Sequence, residues 1–219
     1  VAGVPEVVLC VPPDKTGHVP QVTLAAAAIA GVSEVYAVGG AQAVGAMAYG
    51  TETIRPVDVI VGPGNVYVAL AKREVAGLVG VPSSFPGPSE VVVIADDTAP
   101  VDLAAVDVIL QAEHGPGGLA WLISWSEDAL NAICAEIEAQ VAVAPRRDDI
   151  TATFAEGGYA VLCDSPEQAV AVSNTIAPEH LEIITADPEA LVPLVRHAGA
   201  VFCGPWSPAS VGDYLAGPS

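Results

Sequence analysis

The stretch "LQAEHGP" at residues 110–116 sets Gln111 and His114 three apart at the end of an apolar helical pattern. Residues three apart share a helical face. Histidine is the commonest metal-binding side chain, and the amide oxygen of a glutamine can add an oxygen ligand. The pair is therefore either half of a metal site or a polar helix end, and the spacing alone favours the helix end. Further along, "APEHLE" (177–182) places Glu179 and His180 side by side ahead of a strand. A carboxylate and an imidazole that converge on one substrate make an acid–base pair. Neighbours in sequence converge only from an irregular helix end, and the plainer reading sets His180 against a helix dipole.

Four further residues carry polar groups at suggestive places. Ser89 in "GPSE" (87–90) stands at the start of a strand, as a turn residue or as a hydroxyl aimed at a polar ligand. Asp213 in "SPASVGDYLAG" (207–217), taken alone, is a solvated helical carboxylate. "GGAQA" (39–43) and "GPGN" (62–65) each follow a strand and open a helix, with Gln42 and Asn65 at the strand tips. Glycine lets a backbone approach a ligand closely, and a helix start offers free N–H groups to phosphate. Neither is the GxGxxG dinucleotide fingerprint, so tight strand–helix turns are the more economical explanation of each.

The elements that must position these residues alternate almost from end to end. "EVVLCVPP", "EVYAVGG", "VDVIVGPGN", "EVVVIADD", "AWLISWS", "YAVLCDS", "EIITA" and "AVFCGP" read as strands. Helical patterns follow them, among them "APVDLAAVDVILQAEHG", "SEDALNAICAEIEAQVAVA" capped by Ser126, "PEQAVAVSNTIAPEHL" capped by Ser165, and "DPEALVPLVRHAG". Strands alternating with helices predict an α/β fold with mostly parallel sheets. Nearly unbroken apolar strands predict helices on both faces of those sheets. The Pro- and Gly-rich "VGVPSSFPGPS" (79–89) breaks the rhythm, giving two doubly wound, Rossmann-like units over residues 1–86 and 87–219. In such folds ligands sit outside the carboxyl ends of the strands, which directs attention to polar residues just after each strand.

Composition excludes several partners. The 219 residues are 52% hydrophobic, enough for a substantial core, and carry 7 Lys plus Arg against 26 Asp plus Glu. A net charge of -19 repels nucleic-acid backbones and anionic membranes. No apolar run approaches the about 20 residues of a membrane span, and the first residues lack the basic start of a signal peptide. Cys10, Cys134, Cys163 and Cys203 are too dispersed for a thiolate cluster and read as buried thiols of a cytoplasmic protein.

Seven segments, in this order, resemble the histidinol dehydrogenase family: "GVSEVYAVGGAQAVGAMAYGTETI", "VDVIVGPGNVYVALAKREV", "GPSEVVVIAD", "QAEH", "IAPEHLEI", "AGAVFCGP" and "VGDYLAGPS". The resemblance spans the whole chain and matches the interior of that enzyme, with further sequence expected on both sides. It implies oxidation of L-histidinol to L-histidine through the aldehyde, using two NAD and one bound zinc. Gln111, His114 and Asp213 are similar to three zinc ligands that also touch substrate; a histidine of a second subunit would complete the shell in a homodimer. His180 resembles the base that takes the hydroxyl proton, and Glu179 the carboxylate that activates water. Ser89 resembles a substrate contact, and Gln42 and Asn65 the dinucleotide contacts. By the same resemblance this stretch of chain, lacking the last ligand, is expected to be inactive alone. Two positions depart from the family pattern: Gly115 stands where many members have Asp, and Ala209 where many have Glu. Oxidation of another small alcohol, or ligand binding without catalysis, are the other functions compatible with these residues.

Overall fold

A strand reading "EVVVIA" is apolar on both alternate faces beyond its first residue, so it is stable only where both faces are covered. In the computed structural model this segment is β3 (Glu90–Ala95), and Val91 to Ala95 are each at most 1% exposed. The structure describes residues 3–82, 89–115 and 117–216, apart from the side chain of Asp213. The chain divides into two compact units, Val1–Gly87 and Pro88–Ser219. Most of the expected boundary segment, residues 83–88, lies outside the described residues.

The first unit contains β1 (Val8–Cys10), α1 (Gln21–Ile29), β2 (Glu34–Tyr36), α2 (Gly40–Tyr49) and α3 (Val66–Val75). β1 and β2 pair in parallel, Val8 opposite Glu34. The run "VDVIV" is not an extended strand: Val59 forms a single bridge with Gly80, Ile60 is buried in the core, and Val57 packs half-buried against it. Val59 and Val61 stay exposed, so the apolar run lacks the paired neighbours a ladder needs. Val44, Ala48, Ile60, Val75 and Val79 form the core of this unit.

The second unit continues from β3 through α4 (Val101–Glu113), β4 (Leu119–Ser124), α5 (Glu127–Val143), α6 (Arg147–Gly157) and β5 (Gly158–Leu162). It then adds α7 (Pro166–Ile176), β6 (His180–Ile184), α8 (Pro188–Leu191), β7 (Ala200–Cys203) and α9 (Ala209–Val211). Its strands lie in the order β5-β4-β3-β6-β7, every pair parallel, so the winding reverses between β3 and β6. Period-two alternation splits β3 between two cores. Val91, Val93 and Ala95 pack with Ala104, Ala105 and Val108 of α4 and Ile133 of α5. Val92 and Ile94 pack on the other side with Ala169 and Val170 of α7. Among the described residues no helix is long and apolar enough to cross a membrane.

Local signals set the helix ends. Ser126 Oγ accepts the N–H of Ala129 at 3.2 Å, and Ser165 Oγ that of Gln168 at 3.3 Å, each satisfying a donor of the first turn. α7 ends at Ala177, which takes a left-handed φ of 56° just before Pro178. The helix expected over "DPEALVPLVRHAG" is cut short: α8 stops at Leu191 and a single tight turn, Val192–Leu194, follows. Pro193 removes the N–H a longer α-helix would need there. The sequence pattern does not predict α6. Of its eleven residues only Ile150, Thr153 and Gly157 are buried, too sparse a stripe to stand out from a polar loop.

Candidate functional site

Register decides which side chains meet. β6 begins at His180, directly opposite Val91 near the start of β3, so both stand at the amino edge of the sheet. Ser89 precedes β3 at that same edge. A helix linking parallel strands must return from the carboxyl edge to the amino edge. α4 makes that return, and its last turn and the residue that caps it deliver Gln111 and His114 there. Ser89, Gln111, His114, Glu179 and His180 consequently line one cleft of about 110 Å³, closed by Asp107, Leu110 and Ala209. The candidate residues of this unit therefore do not stand at the carboxyl edge, where the fold class directs a ligand. The chemical groups sit on segments entering strands and on a returning helix end, not on the loops that follow strands.

Four of these residues have distinct surroundings. His180 is 7% exposed, with the Phe202 ring tilted at 52° and 6.1 Å from it. Glu179 is exposed, and its backbone N–H donates to Glu90 Oε2 at 3.4 Å. Gln111 is buried at 6% exposure, whereas His114, one residue past the last of α4, is exposed. The Nδ1 of His114 lies 3.0 Å from the carbonyl oxygen of Leu110. That contact suits an Nδ1–H donor, leaving Nε2 as the lone-pair nitrogen, the tautomer a metal-ligating imidazole uses. Among the described residues no three His, Cys, Asp or Glu groups gather as a metal cluster. A metal here would draw on the amide oxygen of Gln111 and on Asp213, whose side chain lies outside the described residues.

Gly115 adopts a φ of 107°, a region that disfavours side chains, so the backbone as it stands suits glycine and not the aspartate that the sequence resemblance leads one to expect here. Ala209 is 3% exposed and forms part of the cleft wall.

Gln42 and Asn65 belong to the first unit; Asn65 is exposed. The Asn65 side chain serves the fold, since its Oδ1 accepts the N–H groups of Tyr67 and Val68 at 3.1 and 3.2 Å and so caps α3. α2 has no side-chain cap at Gly39, so its N-cap residue does not compete with an anion beside Gln42 for the first N–H groups.

Glu179 is held by close backbone packing. Its carbonyl accepts the N–H of Ala200 at 2.8 Å, and the N–H of Gly199 donates to Pro178 at 3.0 Å. A Cβ on Gly199 would stand 2.6 Å from the Glu179 carbonyl oxygen. Gly199→Ala must therefore displace the segment carrying Glu179 and His180. If this segment serves turnover in the full-length protein, kcat should fall by up to about 100-fold, the effect of a displacement near 1 Å. Steady-state turnover measures this; an alanine variant with unchanged kcat would show that the segment tolerates the shift.

Glu182 is a residue that sequence patterns alone did not single out. It lies in the centre of β6, 1% exposed, two residues beyond His180 on the same face. The signal was available: a carboxyl inside the otherwise apolar run "LEII" must be hydrogen-bonded or neutral if the strand is buried. Burial pushes the Glu182 carboxyl up to about 9, and the adjoining Asp107 carboxyl adds to the rise. Asp107 is itself pushed upward by burial. Glu182 thus binds a proton more tightly in the folded chain than in the unfolded one. Its contribution to stability is complete below the ordinary carboxyl range and is lost as pH rises toward about 9. Urea midpoints of the full-length protein should accordingly fall across that window, and Glu182→Gln should flatten the slope; an equal slope in the variant would assign it elsewhere.

Comparison with known proteins gives one consistent result. Residues 1–219 match a family model described as histidinol dehydrogenase. Histidinol dehydrogenase of Geobacillus kaustophilus (strain HTA426) is 52% identical over 219 residues, covering 100% of this chain and 51% of that protein. That of Parasynechococcus marenigrum (strain WH8102) is 50% identical, again over the whole chain and 50% of the relative. The crystal structure of histidinol dehydrogenase from Elizabethkingia anophelis superposes with a TM-score of 0.92 at 38% identity, over 99% of this chain and 50% of that one. The chain spans about half the length of the curated relatives it matches.

Proposed function

The chain belongs to the histidinol dehydrogenase family, and from this we propose that the whole protein oxidises L-histidinol to L-histidine through the aldehyde, with NAD and zinc. The observation that carries this reading is the convergence of Ser89, Gln111, His114, Glu179 and His180 on one cleft. Gln111, His114 and Asp213 would hold the zinc, and Gln42 and Asn65 would contact the dinucleotide. The buried Gln111 amide and the Nδ1 contact of His114 fit a metal site; the uncapped start of α2 fits a pyrophosphate. When bound, zinc would fix the amino alcohol, and two NAD in turn would accept the two hydrides, one from the alcohol and one from the hydrated aldehyde, that no side chain can take up.

The chain's own residues have the proton work. Converting an alcohol to an aldehyde removes one hydride and one proton. His180, fixed at the start of β6 and largely shielded from water, takes the hydroxyl proton. Glu179 is exposed and can meet water, so it takes a proton from the water that adds to the aldehyde. Ser89 offers a hydroxyl to the substrate from the entry to β3. The histidine that would complete the zinc shell comes, on the family resemblance, from a second subunit of a homodimer. The test is an assay of the full-length protein with L-histidinol, NAD and zinc. NADH formation is the expected result; none in a folded, zinc-loaded preparation would overturn the assignment.

A further inference from the structure

Glu182 is the one carboxyl group among the described residues of the five-stranded sheet that is 1% exposed, and both of its oxygens need a partner. Oε1 accepts the backbone N–H of Ala209 at 2.7 Å, tying β6 to the first residue of α9. Oε2 is fully buried and meets no hydrogen-bond donor among the described residues. Its side-chain neighbour is the carboxyl of Asp107, itself 6% exposed. Two ionised carboxylates can only repel one another there. A single proton between them turns Oε2 into a donor and satisfies both groups.

The three elements so joined are those that build the cleft. β6 carries His180 two residues before Glu182. α4 carries Asp107 one helical turn before Gln111, with His114 beyond. Ala209 opens the segment that leads to Asp213. We propose that Glu182 is a positioning residue: as a neutral group hydrogen-bonded to Asp107 and Ala209, it holds the base-bearing strand, the helix of Gln111 and His114, and the segment of Asp213 in one arrangement. The inference rests on the function proposed above for the assignment of those roles, while the ties themselves are independent of it.

Three measurements on the full-length protein test this. Glu182→Gln keeps an acceptor for Ala209 and a donor for Asp107, so kcat with L-histidinol and zinc retention against a chelator should stay within about threefold of the parent. Glu182→Met keeps the volume and loses both bonds; kcat should fall about 10- to 100-fold, with faster zinc loss, in a protein that still unfolds cooperatively. Wild-type kcat and zinc retention in a folded methionine variant would overturn the proposal, as would a glutamine variant as impaired as the methionine one. If the methionine variant does not fold, infrared difference spectroscopy decides. A buried protonated-carboxyl band present in the parent and absent from Glu182→Gln supports the tie, and its absence from the parent refutes it. That band requires no turnover. A parent that shows it yet makes no NADH would fail the proposed function and leave the tie standing.

Discussion

On the proposed function, replacing His180 by glutamine should lower kcat for L-histidinol oxidation by about 10²–10⁴-fold in the full-length protein, the contribution expected of a positioned general base. Glutamine has similar reach and hydrogen-bonding capacity but cannot accept a proton at neutral pH. The backbone at this position is held on both sides, by β3 through Val91 and by β7 through Ala200, so the substitution leaves the strand in place. The loss should appear in kcat with little change in KM, because proton removal is needed in the transition state and not for binding. Circular dichroism and the unfolding midpoint control for misfolding. A glutamine variant that turns over within about threefold of the parent would remove His180 from the role of base and shift that role to Glu179.

The second large effect is expected at His114. His114→Ala deletes the imidazole whose Nδ1 meets the Leu110 carbonyl and whose Nε2 would, on the proposed function, ligate the zinc. Loss of a partner outside the ligand shell already costs about 10- to 100-fold in metal affinity, so loss of a ligand should cost at least that. Competition against a chromogenic chelator reads the affinity directly, without turnover. His114 is exposed, so stability of the metal-free protein should change by no more than about 0.5 kcal/mol. Stoichiometric zinc held equally tightly by parent and alanine variant would exclude His114 as a ligand.

The two predictions differ in how far sequence alone led to them. Glu179 and His180 stood out as neighbours, but neighbours in a regular element point apart. Their meeting in one cleft depends on the break between α7 and β6, where Ala177 turns left-handed and Pro178 follows. Gln111 and His114 were legible as a pair from helical spacing. What they face was not, because that depends on where α4 ends relative to β3 and β6. Asp107 and Glu182 went unnoticed because each sits in an apolar segment where the hydrophobic pattern dominates. Their significance lies in a contact between α4 and β6, far apart in sequence, which no periodicity records.

Alternation of strand and helix, the caps at Ser126 and Ser165, and the doubly covered β3 followed from the sequence by itself. Each depends on short-range chemistry: side-chain period, a hydroxyl within reach of a first-turn N–H, and a run with no polar face. The ordered motifs likewise carried the family. Only the tertiary structure decided that the second unit gathers its chemical groups at the amino edge of the sheet, that "VDVIV" forms a bridge and not a strand, and that Glu182 is buried against Asp107. The reason is common to all three. Strand order, the return path of a helix and the burial of one carboxyl depend on contacts between segments far apart in the chain, and local pattern constrains those contacts only weakly.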